Sequence, residues 1–362
     1  MTTLEELFSA TPGMFGALEA LDDRPAVLRL GTRRSLLART QSQWVADRLL
    51  EALAVACPKR GFRVELVEIV TKGDISQTDG TPLTSLGGTG VFVSALREAV
   101  LDGRCDFAVH SLKDLPNAQP EGLTLAAVPI REDPADVLIA RDGLGFAELP
   151  AGAVVGTGSP RRAAQIRALR EDLKVVGIRG NIDTRIGRVA AGEVDAVVLA
   201  HSGLRRIGRQ AEVTHIFGPE QMLPAPGQGA LAVECRPESV SLLAALRLVD
   251  DRVSRVCVLA ERALLARLEA GCAAPVGALA TYRDEVLTLT AFAGSEDGVT
   301  SLRRSASAPL GDPHADGPTA VSLGHSLAER LLDDGLSELA LPIPVPDPLP
   351  AADEAVAREG DS

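Results

Sequence analysis

The sequence predicts an α/β protein: two open-sheet units with a cleft between them, followed by a smaller α+β domain. Three observations carry this. Apolar strand-like runs alternate with helix-like stretches from Val27 to about residue 249, the pattern of open α/β sheets. Two Pro- or Gly-punctuated crossings, Arg131-Glu132-Asp133-Pro134 and Leu223-Pro224-Ala225-Pro226-Gly227-Gln228-Gly229, divide that region. From about residue 252 the alternation gives way to one helix, a strand meander and a final helix.

In chain order, a strand over Val27–Leu30 leads through Gly31-Thr32-Arg33-Arg34-Ser35 into a helix reaching about Leu53. A second strand is expected over 64–70. Residues 73–90 are rich in Gly and Thr and lack periodicity, as in a lid or a disordered loop. A helix over 91–102 and strands over 106–109 and 123–128 follow. Beyond the first crossing come strands 137–140 and 153–156, helix 160–170, strand 174–178, helix 181–191, strand 194–199 and a short helix near 203–208. Strand 230–235 and helix 239–249 are left over after the second crossing, so the chain is expected to return and finish the first unit. The division is therefore 25–128 with 228–249, then 134–223, then 252–342. The last unit holds a helix over 252–269, strands 276–282, 285–293 and 298–306, and a helix over 319–334. Turns at Arg283-Asp284 and Glu296-Asp297-Gly298 make those strands an antiparallel meander. Residues 1–24 and the Pro-rich, acidic 343–362 are expected to be flexible tails.

The chain has 362 residues, enough for two or three cores. Apolar residues make up 46% but aromatics only 3%, so the core is built of Ala, Val and Leu. A net charge of -12 excludes a general nucleic-acid binder, which needs clustered surface cations. Lys59, Lys72, Lys113 and Lys174 are the lysines, so almost all positive charge is Arg, the better bidentate partner of carboxylates. The five cysteines form no C-x-x-C pair and no zinc spacing, so no metal is expected. Their odd count suits a reducing cytoplasm. No secretory leader is evident, and no apolar run approaches the ~18–20 residues of a membrane span.

His110-Ser111-Leu112-Lys113-Asp114-Leu115-Pro116 places polar side chains just beyond the apolar strand Phe107-Ala108-Val109. Open sheets gather their ligands at that end of a strand, and Pro116 fixes the turn. Three strand ends in the second unit share a Gly-rich, Arg-bearing pattern. They are Gly156-Thr157-Gly158-Ser159-Pro160-Arg161-Arg162, Arg179-Gly180-Asn181 with Arg185 a turn later, and Ala200-His201-Ser202-Gly203 with Arg205 and Arg206. Arg33-Arg34-Ser35 repeats it in the first unit. Glycines let backbone N–H groups approach an anion at a helix start. Cations there oppose the helix dipole, so Arg161, Arg162 and Arg185 point to an anionic ligand, the alternative being solvated arginines paired with Asp or Glu. Neither G-x-x-x-x-G-K-[ST] nor a G-x-G-x-x-G with its acid is present, which favours polycarboxylates over nucleotides. Cys272 lies in Leu268-Glu269-Ala270-Gly271-Cys272-Ala273-Ala274-Pro275. On those residues alone it reads as a small buried hydrophobe or as an accessible thiol on a turn.

Taken in order and at these separations, the motifs resemble the hydroxymethylbilane synthase (porphobilinogen deaminase) family over roughly 27–340. Thr71-Lys72-Gly73-Asp74 and Gly271-Cys272-Ala273-Ala274-Pro275 complete the set. The resemblance implies two lobes of the periplasmic-binding-protein (type II) kind, with a small third domain. It implies a dipyrromethane cofactor held by a thioether to Cys272, with Lys113, Asp114, Ser159, Arg161 and Arg162 around it. Arg33, Ser35, Arg179, Arg185 and Arg206 would bind the acetate and propionate groups of the pyrrole substrate, porphobilinogen. Asp114 matches the catalytic carboxylate, expected to bond pyrrole N–H groups, stabilise the cationic azafulvene left when ammonia departs, and shuttle protons. Substrate units would be joined head to tail and released by hydrolysis as the linear tetrapyrrole hydroxymethylbilane. A cytoplasmic monomer working on a small molecule is the expectation. Where many relatives carry lysines in the 73–90 loop, Ser85 and Thr89 stand here. The competing class is a non-catalytic two-lobed receptor for polycarboxylates, which gives Asp114 and Cys272 no role. A cysteine hydrolase would need a His and an acid beside Cys272, and nothing in the sequence points to them.

Overall fold

The computed structural model describes residues 26–70, 90–269, 275–295, 297–311 and 317–336. Cys272, the Thr71-to-Asp74 motif, Ser85, Thr89 and both expected tails lie outside the described residues.

The first sheet takes β1 (Ala26–Thr32), β2 (Phe62–Glu68), β3 (Phe107–Ser111), β4 (Thr124–Ala127) and β10 (Leu231–Cys235), in the order β2-β1-β3-β10-β4. The second takes β5 (Asp136–Ala140), β6 (Val154–Gly156), β7 (Lys174–Val176), β8 (Ala196–Ala200) and β9 (His215–Ile216), in the order β7-β6-β8-β5-β9. Both follow one plan. The first strand pairs parallel with the second and third, and a strand arriving from the other lobe then pairs antiparallel with the third and fourth. That shared plan, with each lobe lending a strand across the crossings, makes the fold a pair of type II periplasmic-binding-protein-like lobes.

Helices α1 (Leu36–Ala56) and α2 (Gly90–Leu101) belong to the first lobe, as does α6 (Val240–Arg247). Helices α3 (Pro160–Leu169), α4 (Ile182–Ala190) and α5 (His201–Arg206) belong to the second. Leu30, Leu49, Leu53 and Phe107 are fully buried between α1 and the first sheet, each contributing about 1.5–3 kcal/mol. Separate clusters around Ile166 and around Leu204 cover the two faces of the second sheet. The last unit packs α7 (Arg252–Glu269) and α8 (Gly317–Asp333) on a three-stranded antiparallel sheet of β11 (Val276–Arg283), β12 (Val286–Gly294) and β13 (Ser301–Pro309). It meets the second lobe through Phe292, Ala164 and Leu223, and the first through Val258 against Leu112 and Leu115.

Several boundaries differ from the sequence expectation. Strand 174–178 stops at Val176, the helix near 203–208 begins at His201, and the third meander strand starts at Ser301. The two-residue β9 was not foreseen; it is too short to show alternation. Among the described residues no helix is long and apolar enough to cross a membrane.

Candidate active site

A cavity of about 300 Å³ opens between the lobes, walled by the ends of β1, β3 and β8 and the starts of α1, α3, α4 and α5. Each wall element is set by local chemistry. Ser35 caps α1, its Oγ accepting from Ala38 N–H at 3.3 Å. Asn181 caps α4 through Thr184 N–H at 2.9 Å, and Ser159 with Pro160 behind it starts α3. Gly158 is required because a Cβ there would stand 2.7 Å from the Ile178 carbonyl oxygen.

Of the residues singled out from sequence, Arg33, Ser35, Lys113, Asp114, Arg162, Arg185 and Arg206 line this one cavity. Ser159, Arg161 and Arg179 are not among its wall residues in the described part of the chain. Ser159 spends its hydroxyl on the Arg162 N–H, and Arg179 is exposed. Ser111 and Ser202, from the strand-end motifs, also face the cavity, as do Gln41 and Asp183, which were not anticipated.

Arg161 and Arg162 overturn part of the sequence argument, because the anion that explains them lies inside the protein. Asp136 is completely buried. Its carboxylate accepts from Arg161 Nη1 at 2.7 Å, and from Arg162 Nε and Nη2 at 2.9 and 2.7 Å. Burial pushes this carboxyl up, but the two guanidiniums outweigh it and hold it well below the usual range. Arg161 Nη1 also donates to the Leu223 carbonyl at 2.5 Å. Arg162 serves both Asp136 and the cavity.

The same carboxylate reaches Lys113 through the second crossing. Gln228 donates from Nε2 to Asp136 at 2.8 Å and to the Pro134 carbonyl at 2.7 Å, while its Oε1 accepts from Lys113 Nζ at 3.2 Å. Lys113 is exposed to the cavity. Desolvation by the surrounding wall nonetheless brings its ammonium down to about 8, with Asp114 opposing and Arg162 and Arg161 adding. Arg185 and Arg206 are tethered to carbonyls: Arg185 Nε to Gly180 at 2.8 Å and Arg206 Nη2 to Gly229 at 2.7 Å. Burial lowers both, Arg206 to about 10.

The strand carrying the polar run does not stop before it. β3 continues through Ser111, and His110 lies buried within the sheet, its Nε2 3.3 Å from Glu234. Glu234 also takes both arms of Arg97. After Ser111, which bonds Gln41 at 3.1 Å, a tight turn over Leu112–Asp114 presents Lys113 and Asp114. Arg262 of α7 fastens that turn by donating to the carbonyls of Leu115 and Pro116 at 3.1 and 2.7 Å. Asp114 is exposed to the cavity, within the field of Lys113.

The two lobes meet at a cavity rich in guanidinium groups, with a carboxylate on a fixed turn, an arrangement that can receive small polyanions. The comparisons with known proteins give the chain a family. Residues 28–244 match the profile described as "Porphobilinogen deaminase, dipyromethane cofactor binding domain", and residues 255–333 match "Porphobilinogen deaminase, C-terminal domain". The chain is 52% identical to the porphobilinogen deaminase of Thermobifida fusca, over 86% of this chain and 95% of the relative. Against porphobilinogen deaminase 1 of Streptomyces coelicolor it is 52% identical, over 86% and 97%. Against the Nocardia farcinica porphobilinogen deaminase it is 50% identical, over 92% and 91%. Solved structures resemble it weakly. The Bordetella pertussis BvgS periplasmic VFT2 domain aligns over 65% of this chain and 90% of its own, at 17% identity and a TM-score of 0.39. The chain belongs to the porphobilinogen deaminase family.

Proposed function

We propose that this chain is a hydroxymethylbilane synthase, a transferase of tetrapyrrole biosynthesis. It joins porphobilinogen units head to tail on a dipyrromethane primer, with loss of ammonia, and releases the linear tetrapyrrole by hydrolysis. The observation that carries this is the convergence of Arg33, Lys113, Arg162, Arg185 and Arg206 on one cavity that also holds Asp114. Every pyrrole unit carries two carboxylates, and cations crowded in one cavity repel one another until such groups enter.

The residues fit the cofactor that the family profile names for 28–244. Lys113 and Arg162, with Asp114 between the lobes, would hold its acid groups and ring N–H groups, and Cys272 would carry it. Once bound, dipyrromethane supplies the pyrrole carbon to which the incoming unit is joined. Arg33, Ser35, Arg185 and Arg206 would take the carboxylates of the incoming unit. Arg161 and Ser159 would act from behind the wall, Ser159 through the Arg162 N–H and Arg161 through the shared Asp136, while the exposed Arg179, next to wall residue Gly180, would act at the rim. Asp114 accepts N–H groups, stands opposite the cation formed as ammonia departs, and takes up the proton released when the new bond restores the aromatic ring. The enzyme is proposed to act as a cytoplasmic monomer, without nucleic-acid or membrane partners. Cys105, Cys235 and Cys257 support a reducing setting, being buried free thiols.

Intact-mass measurement of the purified protein tests the reading. The wild type is expected to carry a dipyrromethane adduct that Cys272→Ser abolishes, together with turnover of porphobilinogen. An active wild type of unmodified mass would refute it. A polycarboxylate receptor would bind porphobilinogen without releasing ammonia.

A further inference from the structure

The short helix α5 is bound to both crossings that join the lobes. His201 Nδ1 stands 2.7 Å from Asp133 Oδ2, and Arg205 Nε 3.0 Å from Glu132 Oε1. Arg206 Nη2 reaches the Gly229 carbonyl at 2.7 Å. The crossings touch at this point. Glu132 N–H donates to that same Gly229 carbonyl at 3.2 Å, and a Cβ on Gly229 would lie 2.3 Å from the Glu132 carbonyl oxygen. On its other side, α5 supplies Ser202, Gly203 and Arg206 to the cavity wall. One element is thus in contact with both the ligand space and the interlobe crossing.

His201 ties the start of α5 to the first crossing. Its side chain is 8% exposed, and Asp133 is fixed from the other side by accepting from Ala135 N–H at 2.9 Å. The charged groups around it are Asp133 at the ring, Glu132 and Arg205 along the crossing, and Arg206 toward the cavity. Asp136 lies across the β5–β8 ladder from Ala200 and is committed to Arg161 and Arg162. An Nδ1–H donated to the Asp133 carboxylate is a charge-assisted hydrogen bond.

We propose that His201 is a positioning residue for carboxylate recognition: through Asp133 it holds α5 and Arg206 against the crossing. The proposal rests on the synthase reading. It gives the enzyme a means of setting its grip on substrate through a residue that does not touch the reacting atoms.

The test is kcat and KM of the holoenzyme for porphobilinogen at pH 6.5, well below the value of about 8 at which Lys113 discharges. His201→Leu removes the donor to Asp133 and should raise KM about fivefold, the size of one net hydrogen bond, with kcat within about twofold of wild type. His201→Gln keeps a donor and should restore KM toward the wild-type value. Asp133→Asn leaves His201 in place and should raise KM in the same way, which keeps the test available should the first variant fold poorly. A wild-type KM in folded His201→Leu or Asp133→Asn overturns the proposal. Absence of turnover in the wild type would instead sink the synthase reading.

Discussion

Asp136→Asn probes the buried carboxylate behind the cavity wall. In the wild type one fully buried carboxylate compensates two guanidiniums whose side chains are only 6% and 7% exposed. Asparagine keeps the shape and an acceptor for Gln228 but removes the charge, leaving two cations facing each other away from water. Breaking a buried pair by removing one partner costs about 3–5 kcal/mol. At roughly 4–8 °C per kcal/mol for a unit of that size, the second lobe should melt on the order of 20 °C lower. Arg162 also faces the cavity, so bound carboxylates would offset part of the loss. The drop should therefore be larger in a Cys272→Ser background, where no primer is held. The pH dependence has a definite sign. A carboxyl held below its ordinary value stabilises the fold above that value, and the contribution is lost as pH falls through and below about 4. Wild type should thus shed stability in acid that the Asn variant never had. Thermal unfolding by circular dichroism, with and without Cys272→Ser, measures both effects. A loss below about 1 kcal/mol would refute the claim that Asp136 compensates the two arginines.

Two further outcomes are expected. Asp114→Asn should retain the covalent primer by intact mass yet lose about 10²–10⁴-fold in turnover, the range of a general acid–base group; near-normal rates would remove Asp114 from the chemistry. Lys113, with its ammonium brought down to about 8, is charged below that pH and discharges above it. Calorimetric affinity of Cys272→Ser protein for porphobilinogen should therefore weaken above pH 8, whereas Lys113→Arg should hold its affinity to higher pH. Identical profiles would assign that pH limb elsewhere.

The α/β class was legible because the strands are short apolar runs between helices with recognisable starts. Ser35, Ser159 and Asn181 each accept from a backbone N–H of the helix that follows, as their places before those helices imply. What the sequence hid was pairing at a distance. Arg161 and Arg162 at a helix start argued for an external anion, whereas Asp136, some 25 residues earlier, is their partner. A signal was available in the single Asp that opens the otherwise apolar strand Asp136-Val137-Leu138-Ile139-Ala140 directly after a crossing. His110 misled for the same reason. Its partner Glu234 sits on β10, which the chain reaches only after passing through the second lobe. Periodicity reports which face of an element is buried, but it does not say which polar groups meet inside.

The cavity cations were set before any ligand arrives, and the manner of their setting matters. Arg185 and Arg206 are tethered to the carbonyls of Gly180 and Gly229. A carbonyl orients a guanidinium without cancelling its charge. Burial then lowers both pKa values, so the charged forms are held at a cost that an entering carboxylate relieves. Arg162 is treated differently, its charge being already shared with Asp136. The wall therefore combines one arginine locked by an internal acid with others oriented but still charged. Because the side-chain entropy of orientation was lost on folding, it does not have to be lost again on binding. That division suits a site in which a tethered primer stays while successive substrates come and go: a rigid contact for what remains, and relieved desolvation for what arrives.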